Sequence, residues 1–366
     1  MTKGSGTAAR PTLTTRQRLL FGLAAVVLAI LAAFAALLAS DVYLHWRTQN
    51  LAGVNIWGYR GPTIGRKKAG EIRIAAIGGS TVFGYGLPWN QSWPFYLEEE
   101  LNRRQAAGGT VRVANLGVPT DSARTFTATL NDYAYLNADI VCFYEGYNDL
   151  GQDNHEFKSP TIPEVPHYIA WRHQSPIFRW TGYFPIFPLV LKEKAMAMLY
   201  HGDLNAAYGH DIVFQPGLAT RTTARTLEAA SAVAVAVERR FGQLSNITPQ
   251  LSQRTDASCG KWTQYCGAVA EAVDRTLSQH KVAVVITQPY LSDLHVDQQL
   301  ALAHMMTAQF GGNPRVVYVN LGRAIDMRDT ALVYDRVHLV PKGNELIADR
   351  LLPVITDLVA KARAAK

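Results

Sequence analysis

Toward the end of the chain an acid stands three residues before a histidine, in Asp335-Arg336-Val337-His338, and far upstream a serine follows two glycines, in Gly78-Gly79-Ser80-Thr81. An acid at that spacing can hydrogen-bond the histidine Nδ1 and leave Nε2 exposed to accept a proton. A serine hydroxyl is a poor nucleophile at neutral pH until such a base removes its proton. The three residue types together suit acyl transfer through a covalent intermediate, if the fold brings Ser80, Asp335 and His338 together. Alone, the Gly-Gly-Ser turn suits a helix cap or a phosphate nest as well.

Two further segments combine glycine with an amide: Asn115-Leu116-Gly117-Val118-Pro119 and Glu145-Gly146-Tyr147-Asn148-Asp149. Backbone N–H groups and a carboxamide are the donors that a tetrahedral oxyanion needs.

All these residues follow apolar runs of strand length. Such runs occur at residues 72–77, 111–116, 140–144, 282–287 and 316–320, and the spacing predicts helices at 93–106, 122–137, 222–241, 266–280, 297–310 and 344–360. This alternation predicts an α/β fold with a doubly wound, mainly parallel five-stranded sheet. In such sheets ligands bind outside the carboxyl ends of the strands, where the serine, the glycines and Asn148 fall. The long interval between the third and fourth runs predicts an insertion at about residues 155–260. Its first part is rich in proline and aromatics, including Trp171, Phe178, Trp180, Tyr183, Phe184 and Phe187. These suit a lid, a substrate wall or a surface that meets a bilayer, and they equally suit packing of the insertion onto the main domain.

The four segments together resemble the SGNH hydrolase (GDSL-like lipase/esterase) family, whose blocks are a Gly-Asp-Ser-like nucleophile turn, a glycine, Gly-x-Asn-Asp and Asp-x-x-His. They occur here in the family's order, over about residues 70–360 apart from the insertion. Gly79 replaces the usual aspartate before the serine, as in a bacterial membrane-anchored variant with Gly-Gly-Ser-Thr, and Thr120 stands where the second block often has another glycine. The resemblance implies a flavodoxin-like fold with Ser80 as nucleophile, His338 as base and Asp335 as its orienter. It implies oxyanion donors from the Ser80 N–H, the Gly117 N–H and the Asn148 amide, and it implies no cofactor.

The remaining histidines, His155, His167, His173, His201, His210, His280, His295 and His304, lack the spacing of a metal site. Asp149 and Asp153 form a carboxylate pair only in sequence, which does not establish the separation that glycosidase chemistry requires. Cys142 lies in an apolar run and reads as a small buried hydrophobe.

Leu19 to Ala39 form 21 residues without charge, enough helix to cross roughly 30 Å of hydrocarbon and longer than the about 7 to 15 apolar residues of a signal peptide. Lys3, Arg10, Arg16 and Arg18 precede it and Asp41 follows, so the positive-inside rule places the start of the chain in the cytoplasm and the rest outside. The expected organisation is a cytoplasmic tail (1–18), a transmembrane helix (19–39), a juxtamembrane linker (40–70) and the SGNH-hydrolase-like domain (71–366). Cleavage after the small residues at the end of the apolar run stays open. In an oxidising compartment Cys259 and Cys266, seven residues apart, can form a local disulfide. The net charge of +7 is spread without a dense basic block, which argues against nucleic-acid binding.

The expected activity is hydrolysis of a carboxylic ester through an acyl-enzyme, on the outer side of an inner membrane. The substrate would be an acylated glycan or lipid of the envelope. Two readings stay open beside it: an O-acyltransferase that uses the same triad in polysaccharide modification, and a non-catalytic envelope binding module.

Overall fold

The computed structural model describes residues 14–49, 54–104, 109–119, 121–151, 175–199 and 259–365. The chain begins with α1 (Thr15–Gln49), β1 (Ile72–Gly78), α2 (Ser80–Phe83), α3 (Trp93–Arg104), β2 (Val111–Asn115), α4 (Phe126–Asp132) and β3 (Ile140–Tyr144). It continues through α5 (Pro176–Thr181), α6 (Phe187–Leu199), α7 (Thr263–Ser278), β4 (Val282–Ile286), α8 (Asp293–Phe310), β5 (Val316–Val319) and α9 (Pro341–Ala364).

The strands form one parallel sheet in the order β2-β1-β3-β4-β5. Both faces of the sheet are covered, and every residue of β1 and β3 is buried. α3 and α9 cover one face, with Leu97, Leu101, Ile347, Leu351 and Ile355 packed on Ile72, Ile74, Val111 and Ile140. α4, α7 and α8 cover the other, with Phe126, Val269, Val273 and Leu302 against Ala75, Ile77, Phe143 and Val285. The chain order reverses between β1 and β3, so their carboxyl ends flank the crevice in which doubly wound sheets bind ligands.

The helix expected over 122–137 is broken. A 3-10 turn at Ala123–Thr125, α4, and a second 3-10 turn at Ala134–Leu136 replace it, and Asn137 ends the segment in the left-handed region (φ 51°). Thr127, Thr129, Asn131 and Asp132 are weak helix formers, which leaves tertiary packing to set the path. The helix expected over 222–241 lies outside the described residues, as do Trp171, Asp153 and Thr120.

α1 runs ten residues beyond the apolar stretch, and Thr15–Arg47 is long and apolar enough by length and composition to cross a membrane. Of the segment expected as a linker, residues 54–61 pack into the domain. Arg60 bridges Asn115 at the end of β2, Tyr59 is buried, and the Asn55 side chain accepts the Trp57 N–H at 2.9 Å to close a turn that Gly58 completes at φ 76°. Tyr59 packs on Tyr133 and Trp57 on Tyr135, which carries the segment inward.

Candidate active site

Ser80 is the first residue of α2, directly after β1, and is half-buried. The two glycines before it are required by contacts with the protein rather than with a ligand. A Cβ on Gly78 would stand 2.1 Å from the Tyr144 carbonyl oxygen, and one on Gly79 would stand 2.2 Å from Glu145 Oε2 and 2.6 Å from Asn148 Nδ2. The nucleophile turn therefore lies flush against the end of β3.

His338 comes from the loop between β5 and α9. That loop is wound around the Asp335 carboxylate, whose Oδ1 accepts the N–H groups of Val337 (3.0 Å) and His338 (2.6 Å). Arg336 takes φ 67°, and the Tyr334 N–H returns to the His338 carbonyl at 3.1 Å. One side chain thus shapes the loop and orients the imidazole, because Asp335 Oδ2 lies 2.6 Å from His338 Nδ1. His338 Nε2 in turn lies 2.8 Å from Ser80 Oγ. Burial pushes the Asp335 carboxyl up, but hydrogen bonds and charge from His338, with the two backbone N–H groups, outweigh it and hold the acid below its ordinary value. The Tyr334 ring stacks on His338 at 5.8 Å between centroids and the Tyr85 ring lies at 5.1 Å, so the imidazole is walled by aromatics while Ser80 stays within reach of solvent.

The expected oxyanion donors divide. Asn148 follows β3, and its Nδ2 donates to the Asp121 carbonyl at 2.5 Å, which holds the carboxamide beside the nucleophile turn. The Gly117 N–H donates to Asn115 Oδ1 at 3.0 Å in an Asx turn, so a local side chain competes for it. What the fold needs at this position is the absence of a side chain, since a Cβ there would stand 2.4 Å from the Phe83 nitrogen. The Asn115 Nδ2 reaches the Val82 carbonyl at 2.8 Å, which ties the end of β2 to α2.

Glu145 was not marked by the sequence reading. It is buried at the end of β3 and accepts N–H groups from Gly79 (2.6 Å), Gly146 (3.0 Å) and Asn148 (3.2 Å). Burial pushes its carboxyl up to about 7, the Asp121 charge adds to this, and the three backbone donors act against it. Its position directly before Gly146-Tyr147-Asn148-Asp149, where a strand ends, was the available signal. Gln288 also supports the turn from beneath: Nε2 donates to Thr81 Oγ1 at 2.7 Å while Oε1 accepts the Tyr147 N–H at 2.9 Å.

The other candidates are structural. Asp149 is buried and accepts the Ala123 N–H at 3.2 Å; burial and the Glu145 charge raise its carboxyl well above the usual range. His295 is buried, accepts the Leu291 N–H on Nδ1 at 3.2 Å, and is pushed down to about 3 by burial. Cys142 is a buried free thiol, and Cys259 is bonded to Cys266. Among the described residues no group of His, Cys, Asp and Glu side chains is arranged to hold a metal ion.

No protein-family model matches the chain, and no curated protein matches it in sequence. Solved structures are similar to it over most of its length. A carbohydrate esterase of family 3 from Clostridium thermocellum is 12% identical, with 80% of this chain and 98% of that one covered and a TM-score of 0.41. An acetylxylan esterase from Geobacillus stearothermophilus is 13% identical (78% and 94% covered, TM-score 0.38), and a lipolytic protein of the G-D-S-L family from Desulfitobacterium hafniense DCB-2 is 11% identical (77% and 98%, TM-score 0.38).

Proposed function

We propose that the chain is a serine ester hydrolase acting through an acyl-enzyme on Ser80. The observation that carries this reading is the unbroken relay from Asp335 Oδ2 through His338 to Ser80 Oγ, with steps of 2.6 and 2.8 Å, between residues 258 apart in sequence. In the reaction His338 Nε2 takes the Ser80 proton as Oγ attacks the ester carbonyl carbon. The tetrahedral intermediate collapses with loss of the alcohol, which receives that proton from His338. Water, deprotonated by the same Nε2, then attacks the acyl-enzyme carbonyl and releases the acid and free Ser80. Asp335 holds the imidazole tautomer that exposes Nε2 and stabilises the cation formed in each step.

The oxyanion would be met by the Ser80 N–H, which belongs to the first turn of α2 where helices leave donors without an intrahelical partner, and by the Asn148 carboxamide. α1 would tether the domain to the outer side of an inner membrane, with an acylated glycan or lipid of the envelope as substrate. Arg16 and Arg18, exposed on α1 before the apolar stretch, and Lys3 and Arg10 earlier in the sequence, with an acid only after it, support that orientation. Hydrolysis of a short-chain aryl ester tests the chemistry: Ser80→Ala and His338→Ala are each expected to lose at least about 10³-fold in turnover while remaining folded, because such residues act as a unit. Unchanged turnover in either variant would refute the mechanism. A reporter active only outside the cytoplasm, fused after Lys366, tests the placement.

A further inference from the structure

Among the described residues outside α1, six large apolar side chains are exposed: Tyr135, Ile177, Trp180, Leu191, Met198 and Leu199. All but Tyr135 lie on α5 and α6. Single exposed hydrophobes are ordinary on a protein surface, but their confinement to two adjacent helices is not. Trp180 is 92% exposed and Met198 76%, whereas Val190 of the same segment is buried and Phe178, Phe184 and Ile186 join the domain core. This segment therefore has a core side that is satisfied and an apolar side that is not.

The same segment receives the end of α1. The Tyr183 hydroxyl and the Phe187 N–H both donate to the Asp41 carboxylate, and His45 Nε2 meets the Phe184 carbonyl at 2.7 Å. Asp41 and His45 are 4% and 1% exposed, so this junction is closed to water, while Val42, Tyr43 and Trp46 on α1 remain exposed. The apolar surface of α1 and that of α5 and α6 thus meet at one clamp. Exposed tryptophan and tyrosine beside the end of an apolar span are the side chains that settle at a membrane–water boundary.

We propose that α5 and α6 rest in the lipid–water boundary of the same bilayer that α1 crosses, and that this second contact fixes the orientation of the catalytic domain above the membrane. The inference rests on reading α1 as a membrane span. A helix alone would leave the domain free to swing about its end; two contacts joined by the Asp41 clamp do not. Withdrawing side chains such as Leu191 and Met198 from water into the acyl boundary is what favours such an interfacial seat.

The test uses the full chain carrying one introduced cysteine at a time, Ile30→Cys in α1, Met198→Cys in α6 or Lys361→Cys on α9, which covers the opposite face of the sheet; the buried Cys142 thiol stays unlabelled. Each variant is labelled with a small fluorophore and reconstituted into phosphatidylcholine–phosphatidylglycerol vesicles containing lipids with acyl-chain nitroxide quenchers. The proposal expects strong loss of fluorescence at positions 30 and 198 and none at 361. Quenching at 30 with position 198 no different from 361 would leave the anchor standing and overturn the inference. Quenching at neither 30 nor 198 would remove the anchor itself, and the inference with it. Position 198 unquenched but cross-linking to a second copy of the chain would assign the apolar face to self-association instead.

Discussion

Gly79 donates its N–H to Glu145 Oε2 at 2.6 Å, and that oxygen occupies the space a side chain at position 79 would need, 2.2 Å from the Cβ. The carboxylate just after β3 and the bare glycine just after β1 are therefore one device: the acid reaches the nucleophile turn from the end of the neighbouring strand. Gly79→Ala is expected to force the two apart, with a loss of about 1–3 kcal/mol as in other overpacked sites. Thermal denaturation should reveal this, with a parallel fall in esterase turnover; an alanine variant of unchanged stability and activity would show that Glu145 has room to move.

The same glutamate makes stability depend on pH. Its carboxyl is raised from the ordinary 4.5 to about 7, chiefly by burial, so the folded chain holds this proton more tightly than the unfolded chain. The sign follows from linkage: the contribution to folding is complete below pH 4.5 and is lost as pH rises through about 7. Glu145→Gln, neutral at every pH, should flatten the dependence of denaturation midpoint on pH between these values. A slope equal to that of the natural protein would assign the effect to other groups.

At the oxyanion side, Asn148→Ala should lower turnover by about 10²–10³ with little change in KM, because the amide serves the transition state more than the ground state. Gly117→Ala should instead destabilise the fold, since its Cβ would stand 2.4 Å from the Phe83 nitrogen. Steady-state kinetics and melting measured on both variants separate a donor from a packing glycine. Full stability with a turnover loss in Gly117→Ala would return the donor role to that residue.

The Cys259–Cys266 bond staples the segment before α7 to its first turn, and both residues are buried in the core beside Trp262 and Ala301. Removing it with Cys259→Ser and Cys266→Ser together should cost about 2 kcal/mol for a loop this short. The check is chemical denaturation with and without reductant: the natural protein should fall to the variant's midpoint on reduction, and no difference would mean that packing alone holds the segment.

Much of the fold and of the site is legible in the sequence itself. The short Val/Ile-rich runs mark all five strands, and Asp335-x-x-His338 marks a dyad because it occurs together with Gly146-Tyr147-Asn148-Asp149, each motif being common alone. What escaped the reading depends on competition between neighbours. The Gly117 N–H seemed available until Asn115, two residues earlier, took it, and nothing in a one-dimensional pattern ranks a local side chain above a distant oxyanion. Glu145 carries no mark of its own in the sequence; only the pairing of β1 with β3 brings it against Gly79. The aromatics of the insertion divided between core and surface because the single short helix α5 buries Phe178 and exposes Trp180, while Phe184 is buried in the connection that follows it. The Asp41 clamp was hidden for the same reason, since its partners Tyr183 and Phe187 lie more than a hundred residues away.

The central claim, that Ser80 is a nucleophile activated by His338, is tested most directly by reaction with a fluorophosphonate followed by peptide mapping. The account predicts a single adduct on Ser80, absent in Ser80→Ala and strongly slowed in His338→Ala, with all three proteins folded by circular dichroism. An adduct on a different serine, or labelling of Ser80→Ala at the rate of the natural protein, would contradict it.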